Sequence, residues 1–296
     1  MFEFVRKHDF LVGIDSDGCA FDTMELKHKE CFIPNTINYW ELQAVSKYAR
    51  EAAEFVNLYS KSRGVNRFPA LIETLEWLRK RPEVRARGVQ IRIPQSLRDW
   101  VAKETKLSNE RLREVVAETN DPDLRRTLEW SEAVNESVRR IVRHVPPFPF
   151  VRESLERLKD KADILVVSAT PQEALEREWE EHDLRKYVAA ICGQEIGTKK
   201  QCLGHAAKGG GNPYPPNHVL MIGDAPGDYQ AAKANGALFF PIIPGREEAS
   251  WERFFKEGID RFLSGSFAGE YEEALVAEFN RYLPDRPPWP VIEDEK

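Results

Sequence analysis

The chain has 296 residues, 42% of them hydrophobic, with four cysteines and a formal charge of −6. That length and apolar content suffice for a buried core with a second module, while the acidic balance argues against non-specific binding to nucleic acid or anionic membranes. The cysteines show no paired spacing, no stretch approaches the ~18 apolar residues of a membrane span, and the N-terminus lacks a sustained apolar run, so a reducing, cytoplasmic setting is expected.

In chain order, the apolar run at 10–14 ends in Asp15-Ser16-Asp17-Gly18. Residues 23 to 148 then show helical periodicity and no convincing strand. Pro69 precedes Leu71, Ile72, Leu75 and Leu78 at helical spacing, Ser96-Leu-Arg-Asp99 reads as a capping box, and Asp121-Pro122 as an N-cap followed by proline in the first turn. Pro146-Pro147-Phe148-Pro149 closes this segment as a stiff return.

From residue 150, apolar runs at 163–167, 188–191, 219–222 and 238–243 alternate with helical patterns, which predicts a parallel sheet. Cys192 falls in a buried strand and Cys202 on a helix face. Thr170-Pro171-Gln172-Glu173 reads as a capping box, making Thr170 a cap rather than a ligand. Gly209-Gly-Gly-Asn-Pro lacks the lysine and hydroxyl of a nucleotide loop and reads as a flexible connector. Two helices near 249–263 and 269–282 precede Pro287-Pro288-Trp289-Pro290, expected to lie over the core. Their apolar faces suit packing in cis or a dimer face.

The expected architecture is α/β: a Rossmann-like parallel sheet core from residues 1–22 and 150–296, including a C-terminal helical extension, with an inserted all-helical cap at 23–149. Chemistry-bearing residues sit at the carboxyl ends of the strands, where open α/β sheets bind ligands. Asp15 and Asp17 follow the first strand, Ser168 the second, and Gly223-Asp224 with Asp228 a later one. At ~4 Å and an effective dielectric of ~20, each like-charged carboxylate pair repels by about 4 kcal/mol, so gathering four acids calls for a cation. Hard oxygen donors point to Mg²⁺. Cys202 with His205, or His28 with Cys31, would make half a zinc site, but neither has a partner pair.

The ordered set DxDG at 15–18, Ser168, Lys199 before a helix, and GDxxxD at 223–228 resembles the haloacid dehalogenase superfamily, specifically its phosphohydrolases with a helical cap between the first two motifs. The resemblance spans about 8–22 and 150–243. It implies Asp15 as nucleophile and Asp17 as general acid and base, with Lys199, or alternatively Lys200, over the phosphate. Ser168 and the backbone N–H groups of Gly18 and Ala169 would grip the phosphate, and Asp15, Asp17 (through its backbone carbonyl), Asp224 and Asp228 would hold Mg²⁺. Asp22-Thr23 would stabilise the turn into the cap. Cys19 stands where the family usually has threonine, which hints at oxidation sensitivity if exposed, though a small buried cysteine is the plainer reading.

The implied activity is a Mg²⁺-dependent phosphatase acting on a small phosphorylated metabolite through an aspartyl-phosphate. The alternatives are a phosphosugar mutase of the same superfamily and a noncatalytic binding protein. The cap would cover the site, with Tyr39, Trp40, Tyr48, Tyr59, Arg63 and Arg67 as candidates to hold the leaving group, although aromatics at helical spacing generally pack.

Overall fold

The structure is a computed structural model that describes residues 2–293. Five strands, β1 (Phe10–Ile14), β2 (Ala162–Val167), β3 (Ala190–Cys192), β4 (Val219–Gly223) and β5 (Leu238–Pro241), form one parallel sheet in the order β3-β2-β1-β4-β5. The expected α/β class is the one observed. Each strand is short, apolar and covered on both faces, as parallel strands require.

Alternation along the strands sorts their side chains into two cores. Val12, Ile14, Ile164, Val166, Leu220, Ile222 and Phe240 point to one face, together with Leu155, Trp179, Trp251, Phe254 and Phe262. Leu11, Leu165, Val167, Met221 and Phe239 point to the other, with Leu203, Ala206, Ala232 and Phe279. The helices Val151–Leu158 and Gln172–Glu181 and the segment from Glu247–Arg253 to Ile259–Ser264 therefore serve the first face. Lys199–Ala207 and Pro226–Ala234 serve the second. Glu270–Tyr282 runs along the edge strand, where buried Glu272 accepts from Phe239 N at 2.9 Å and from Lys233 Nζ at 2.7 Å. That carboxylate satisfies an edge N–H that would otherwise invite strand addition.

Chain contacts divide the protein into two compact units, one of residues 1–24 and 144–283 and one of residues 25–143 and 284–296. The second unit is helical and has its own core, in which Phe68, Leu75, Leu97, Leu112, Leu128, Trp130 and Val134 are buried. Asp121 caps the helix Pro122–Ile141 by accepting from Asp123 N and Leu124 N. Ser96 does not cap: its helix, Gln95–Lys103, begins one residue earlier after Pro94, and the Ser96 hydroxyl donates instead to Asp121 Oδ1 at 3.0 Å.

The terminal segment also differs from expectation, because it packs within the helical unit rather than on the α/β core. The Trp289 ring lies 5.6 Å from Phe55, Arg81 sits over it at 4.3 Å, and Ile292 N donates to Lys80 O at 2.8 Å. The glycine run forms a 3₁₀ turn at Gly209–Gly211, tied to the N-terminal segment by Arg6 N donating to Gly209 O at 3.4 Å, so it is no loose connector. Among the described residues no helix is long and apolar enough to cross a membrane.

Opposite the carboxyl ends of the strands, Asp163 at the start of β2 gathers the N-terminal segment. It accepts from Lys7 N (2.9 Å), His8 N (3.0 Å) and Tyr214 Oη (2.5 Å), with His8 Nδ1 at 3.0 Å. Burial works against its charge, but donation from Tyr214 and the two backbone N–H groups wins and holds its pKa below 3.8. Its stabilisation is therefore present above pH 3.8 and lost as pH falls through the lower value it has in the fold. Asp163→Asn turns an amide N–H toward groups that are already donors. Thermal melts followed by circular dichroism should show about 1–3 kcal/mol lost at neutral pH, with the gap to wild type closing under acid conditions.

Candidate active site at the carboxyl ends of β1, β2 and β4

The central strand β1 pairs with β2 and β4 on either side, with Ile14 opposite both Val166 and Ile222. The next residue along each of the three strands' exits carries chemistry: Asp15 after β1, Ser168 after β2 and Asp224 after β4. The Asp15 N–H still donates to Ile222 O at 3.0 Å, so the aspartate is held by the sheet rather than by a free loop. Asp228 enters from the third position of the helix Pro226–Ala234, which starts with proline as helix N-termini allow.

Asp15, Asp224 and Asp228 are all buried, and one carboxylate oxygen from each lies within 4.8 Å of the others. Gly223 makes this approach possible, since a Cβ there would stand 2.3 Å from Asp228 Cβ. Asp228 Oδ2 accepts from Ala225 N at 3.1 Å, near the positive end of its helix. The ammonium of Lys199 then bridges the cluster, 2.5 Å from Asp15 Oδ2 and 2.6 Å from Asp228 Oδ1. Lysine is disfavoured at a helix start by the dipole, and here the acids more than offset that.

Burial dominates the titration of Asp15 and, with the charges of Asp228 and Asp17, raises its pKa to about 6 against the opposing pull of Lys199. Asp228 shifts upward for the same leading reason. Burial works against the Lys199 charge, but Asp15, Asp228 and Asp224 together outweigh it and raise its pKa. Lys200, the alternative, is exposed, and its carbonyl accepts from Asn235 Nδ2 at 3.0 Å. Of the two lysines, only Lys199 is placed on the acids.

Asp17 takes a different place. Its carboxylate is gripped by two hydroxyls, Thr23 Oγ1 on Oδ1 at 2.5 Å and Thr170 Oγ1 on Oδ2 at 2.6 Å. The side chain thus stands outside the three-acid group, although its charge is felt at Asp15. Thr170 is the site residue that sequence reasoning missed. It does not cap: Pro171 occupies the N-cap position of Gln172–Glu181 without a side-chain bond. A hydroxyl two residues beyond Ser168 was the available signal, masked by the Thr-Pro-x-Glu pattern.

One further expectation needs adjustment. The Gly18 N–H, read as a phosphate donor, instead donates to Phe21 O at 2.8 Å inside a tight turn, with Gly18 at φ 72°. Ser168 is buried and its Oγ accepts from Thr170 N at 3.3 Å, which leaves the hydroxyl proton to donate, while Ala169 is exposed on the same loop. Cys19 is fully buried with its thiol toward Ile222 O at 3.7 Å, and burial followed by the nearby acids pushes its pKa well up, so it is no reactive thiol.

The candidates in the helical unit are largely committed to packing. Arg63 is buried with its guanidinium on Leu58 O at 2.9 Å, Arg67 donates to Ser131 Oγ and Asn135 Oδ1 at 2.9 and 2.7 Å, Trp40 stacks on Trp130, and Tyr59 donates to Glu25.

The three carboxylates fit a hard divalent ion: all donors are oxygen and the group is tight, with the Lys199 ammonium bridging Asp15 and Asp228. Millimolar Mg²⁺ should therefore raise the melting temperature of the wild type. A ligand at a hundred times its dissociation constant contributes about 2.7 kcal/mol. Asp228→Asn should lose most of that gain, as read by thermal shift with and without chelator.

Residues 100–242 match the family described as haloacid dehalogenase-like hydrolase, a stretch that contains Ser168, Lys199, Asp224 and Asp228. No curated protein sequence matches the chain. Among solved structures, the chain is similar to a predicted phosphoglycolate phosphatase from Haemophilus somnus, at 13% identity over 80% of this chain and 87% of that one, with a TM-score of 0.49. It is also similar to a haloacid dehalogenase-like family hydrolase from Xanthomonas campestris, at 12% identity over 90% and 98%, TM-score 0.47. A subfamily IA hydrolase from Geobacter sulfurreducens aligns at 16% identity over 80% and 90%, TM-score 0.40. The stretch 100–242 is therefore similar to the haloacid dehalogenase-like hydrolases, and it carries three of the four residues that follow the strand ends or their helices toward the acid cluster, Lys199, Asp224 and Asp228.

Proposed function

We propose that the enzyme hydrolyses a small organic phosphate monoester by transferring the phosphoryl group first to Asp15 and then to water. The observation that carries this reading is the contrast between two carboxylates two residues apart. Asp15 faces an ammonium at 2.5 Å, and Asp17 faces two neutral hydroxyls. Paired acids in unlike surroundings suit unlike roles, one a nucleophile and the other a proton carrier.

In this mechanism an Asp15 carboxylate oxygen attacks phosphorus in line with the leaving oxygen, which takes a proton from Asp17 as the P–O bond breaks. Asp17 then accepts a proton from the water that attacks the aspartyl-phosphate, returning Asp15 as a carboxylate and releasing phosphate. Thr23 and Thr170 hold Asp17 in place for both transfers. Ser168 donates its hydroxyl to a phosphoryl oxygen, and Lys199 keeps Asp15 anionic and balances the incoming ester. Asp15, Asp224, Asp228 and the Asp17 backbone carbonyl would hold Mg²⁺, which would supply the remaining positive charge needed for two anions to meet.

Phosphate release from a panel of small phosphate esters, with and without Mg²⁺, tests the reading. Wild type should release phosphate from at least one ester in a Mg²⁺-dependent manner, and Asp15→Asn should lower kcat by about 10³-fold or more. Wild-type inactivity across the panel, or an active Asp15→Asn, would contradict it, and isomer formation without free phosphate would favour the mutase. Thr170→Val should lower kcat by about tenfold with KM within about twofold, because a misplaced proton carrier acts on the chemical step.

A further inference from the structure

Ser16, between the two aspartates, has a fully buried hydroxyl that the proposed chemistry does not use. Its oxygen accepts from Trp179 Nε1 at 3.0 Å and its proton goes to Glu178 Oε2 at 3.0 Å. Its carbonyl receives three backbone N–H groups, from Cys19 (3.3 Å), Ala20 (2.9 Å) and Phe21 (3.1 Å). Its own N–H donates to Asp15 Oδ1 at 2.7 Å. Every polar atom of this residue is therefore engaged, and one of those bonds fixes the Asp15 carboxylate. With Oδ1 on Ser16 N and Oδ2 on Lys199 Nζ, the orientation of the carboxylate depends on where Ser16 sits.

Glu178 and Trp179 lie in the last turn of Gln172–Glu181, and Thr170 stands just before Pro171, the N-cap of that helix. The helix and the loop leading into it thus reach the DxD segment at two points: Thr170 on Asp17, and Glu178 and Trp179 on Ser16. Trp179 is fully buried and its indole packs edge-on against Phe21, 5.7 Å away, at the far side of the same turn. Contacts on Ser16 from the helix and on Asp17 from Thr170 just before it, with Asp15 Oδ1 tied to the Ser16 N–H, fix the spacing between the two carboxylates better than either contact alone. Geometry held to fractions of an ångström is what the near-attack arrangement of a phosphoryl acceptor demands.

We infer that Glu178 and Trp179 are positioning residues for the nucleophile, acting on Asp15 through the Ser16 hydroxyl. The inference rests on the reading of Asp15 as phosphoryl acceptor. Glu178 need not touch substrate or metal: its carboxylate selects the hydroxyl rotamer that frees the Ser16 oxygen for the indole N–H.

A double-mutant cycle tests it. Glu178→Ala should lower kcat by about tenfold with KM within about twofold, and Glu178→Gln, whose amide oxygen still accepts from Ser16, should recover to within about threefold of wild type. In a Ser16→Ala background, Glu178→Ala should cost less than about twofold more, since the path is already cut. An unchanged kcat in Glu178→Ala, or losses that multiply across the cycle, would overturn the inference. Should Glu178→Ala fail to fold, Trp179→Phe, which keeps an aromatic ring and removes the donor, replaces it in the same cycle with the same outcomes. Mg²⁺ affinity by calorimetry separates this inference from the reading beneath it. If wild type releases no phosphate, the phosphatase reading falls, while a Mg²⁺ dissociation constant raised at least about threefold by Glu178→Ala and restored by Glu178→Gln supports the positioning role. An unchanged constant overturns it.

Discussion

The Lys199 ammonium set among three buried carboxylates is the constraint around which the α/β unit is arranged. Lys199 touches both Asp15 and Asp228 while Asp224 lies within reach of the same group. Without compensation, each close acid pair would repel by about 4 kcal/mol at an effective dielectric of ~20, comparable with a large share of a domain's net stability. The fold accepts that cost at the carboxyl ends of the strands, where helix N-termini and loop N–H groups add positive potential. The helices Lys199–Ala207 and Pro226–Ala234 each place a charged residue in their first turn at this point, one cationic and one anionic.

Rigidity around the cluster comes from elements built for other reasons. β1 is the central strand, flanked by β2 and β4, so the backbone at Asp15 is pinned on the sheet through Ile222. Gly223 removes the side chain that would keep Asp228 away. The helix after β2 then joins the loop carrying Ser168 and Thr170 to the DxD segment. Packing, hydrogen bonding and charge balance consequently fall on the same few residues, which is why single substitutions here are expected to alter rate before they alter fold.

Much of this arrangement was legible from sequence for a physical reason: parallel strands buried on both faces must be short and apolar, and the runs at 163–167 and 219–222 lie inside β2 and β4. The acids that follow them were legible because a carboxylate after an apolar run has few structural uses. Local patterns misled where a competing tertiary contact won. Thr170 has the sequence of a cap yet binds Asp17, Ser96 has the same signature yet lies inside its helix, and the Gly18 N–H turns back on Phe21. The destination of Trp289 depends on an apolar site formed by Phe55 and on Arg81, distant in sequence, and no local periodicity encodes that choice. Glu178 and Trp179 carry no local motif, because their role exists only once the helix Gln172–Glu181 is docked on β1's exit.

The central claim is that the phosphoryl group passes through a covalent bond to Asp15. Rapid quenching during turnover, borohydride reduction of any acyl-phosphate and peptide mass spectrometry test it most directly. The account predicts reduction confined to the peptide carrying Asp15 and dependent on both substrate and Mg²⁺. Phosphate release at full rate with that peptide unmodified, or modification at another acid, would contradict it.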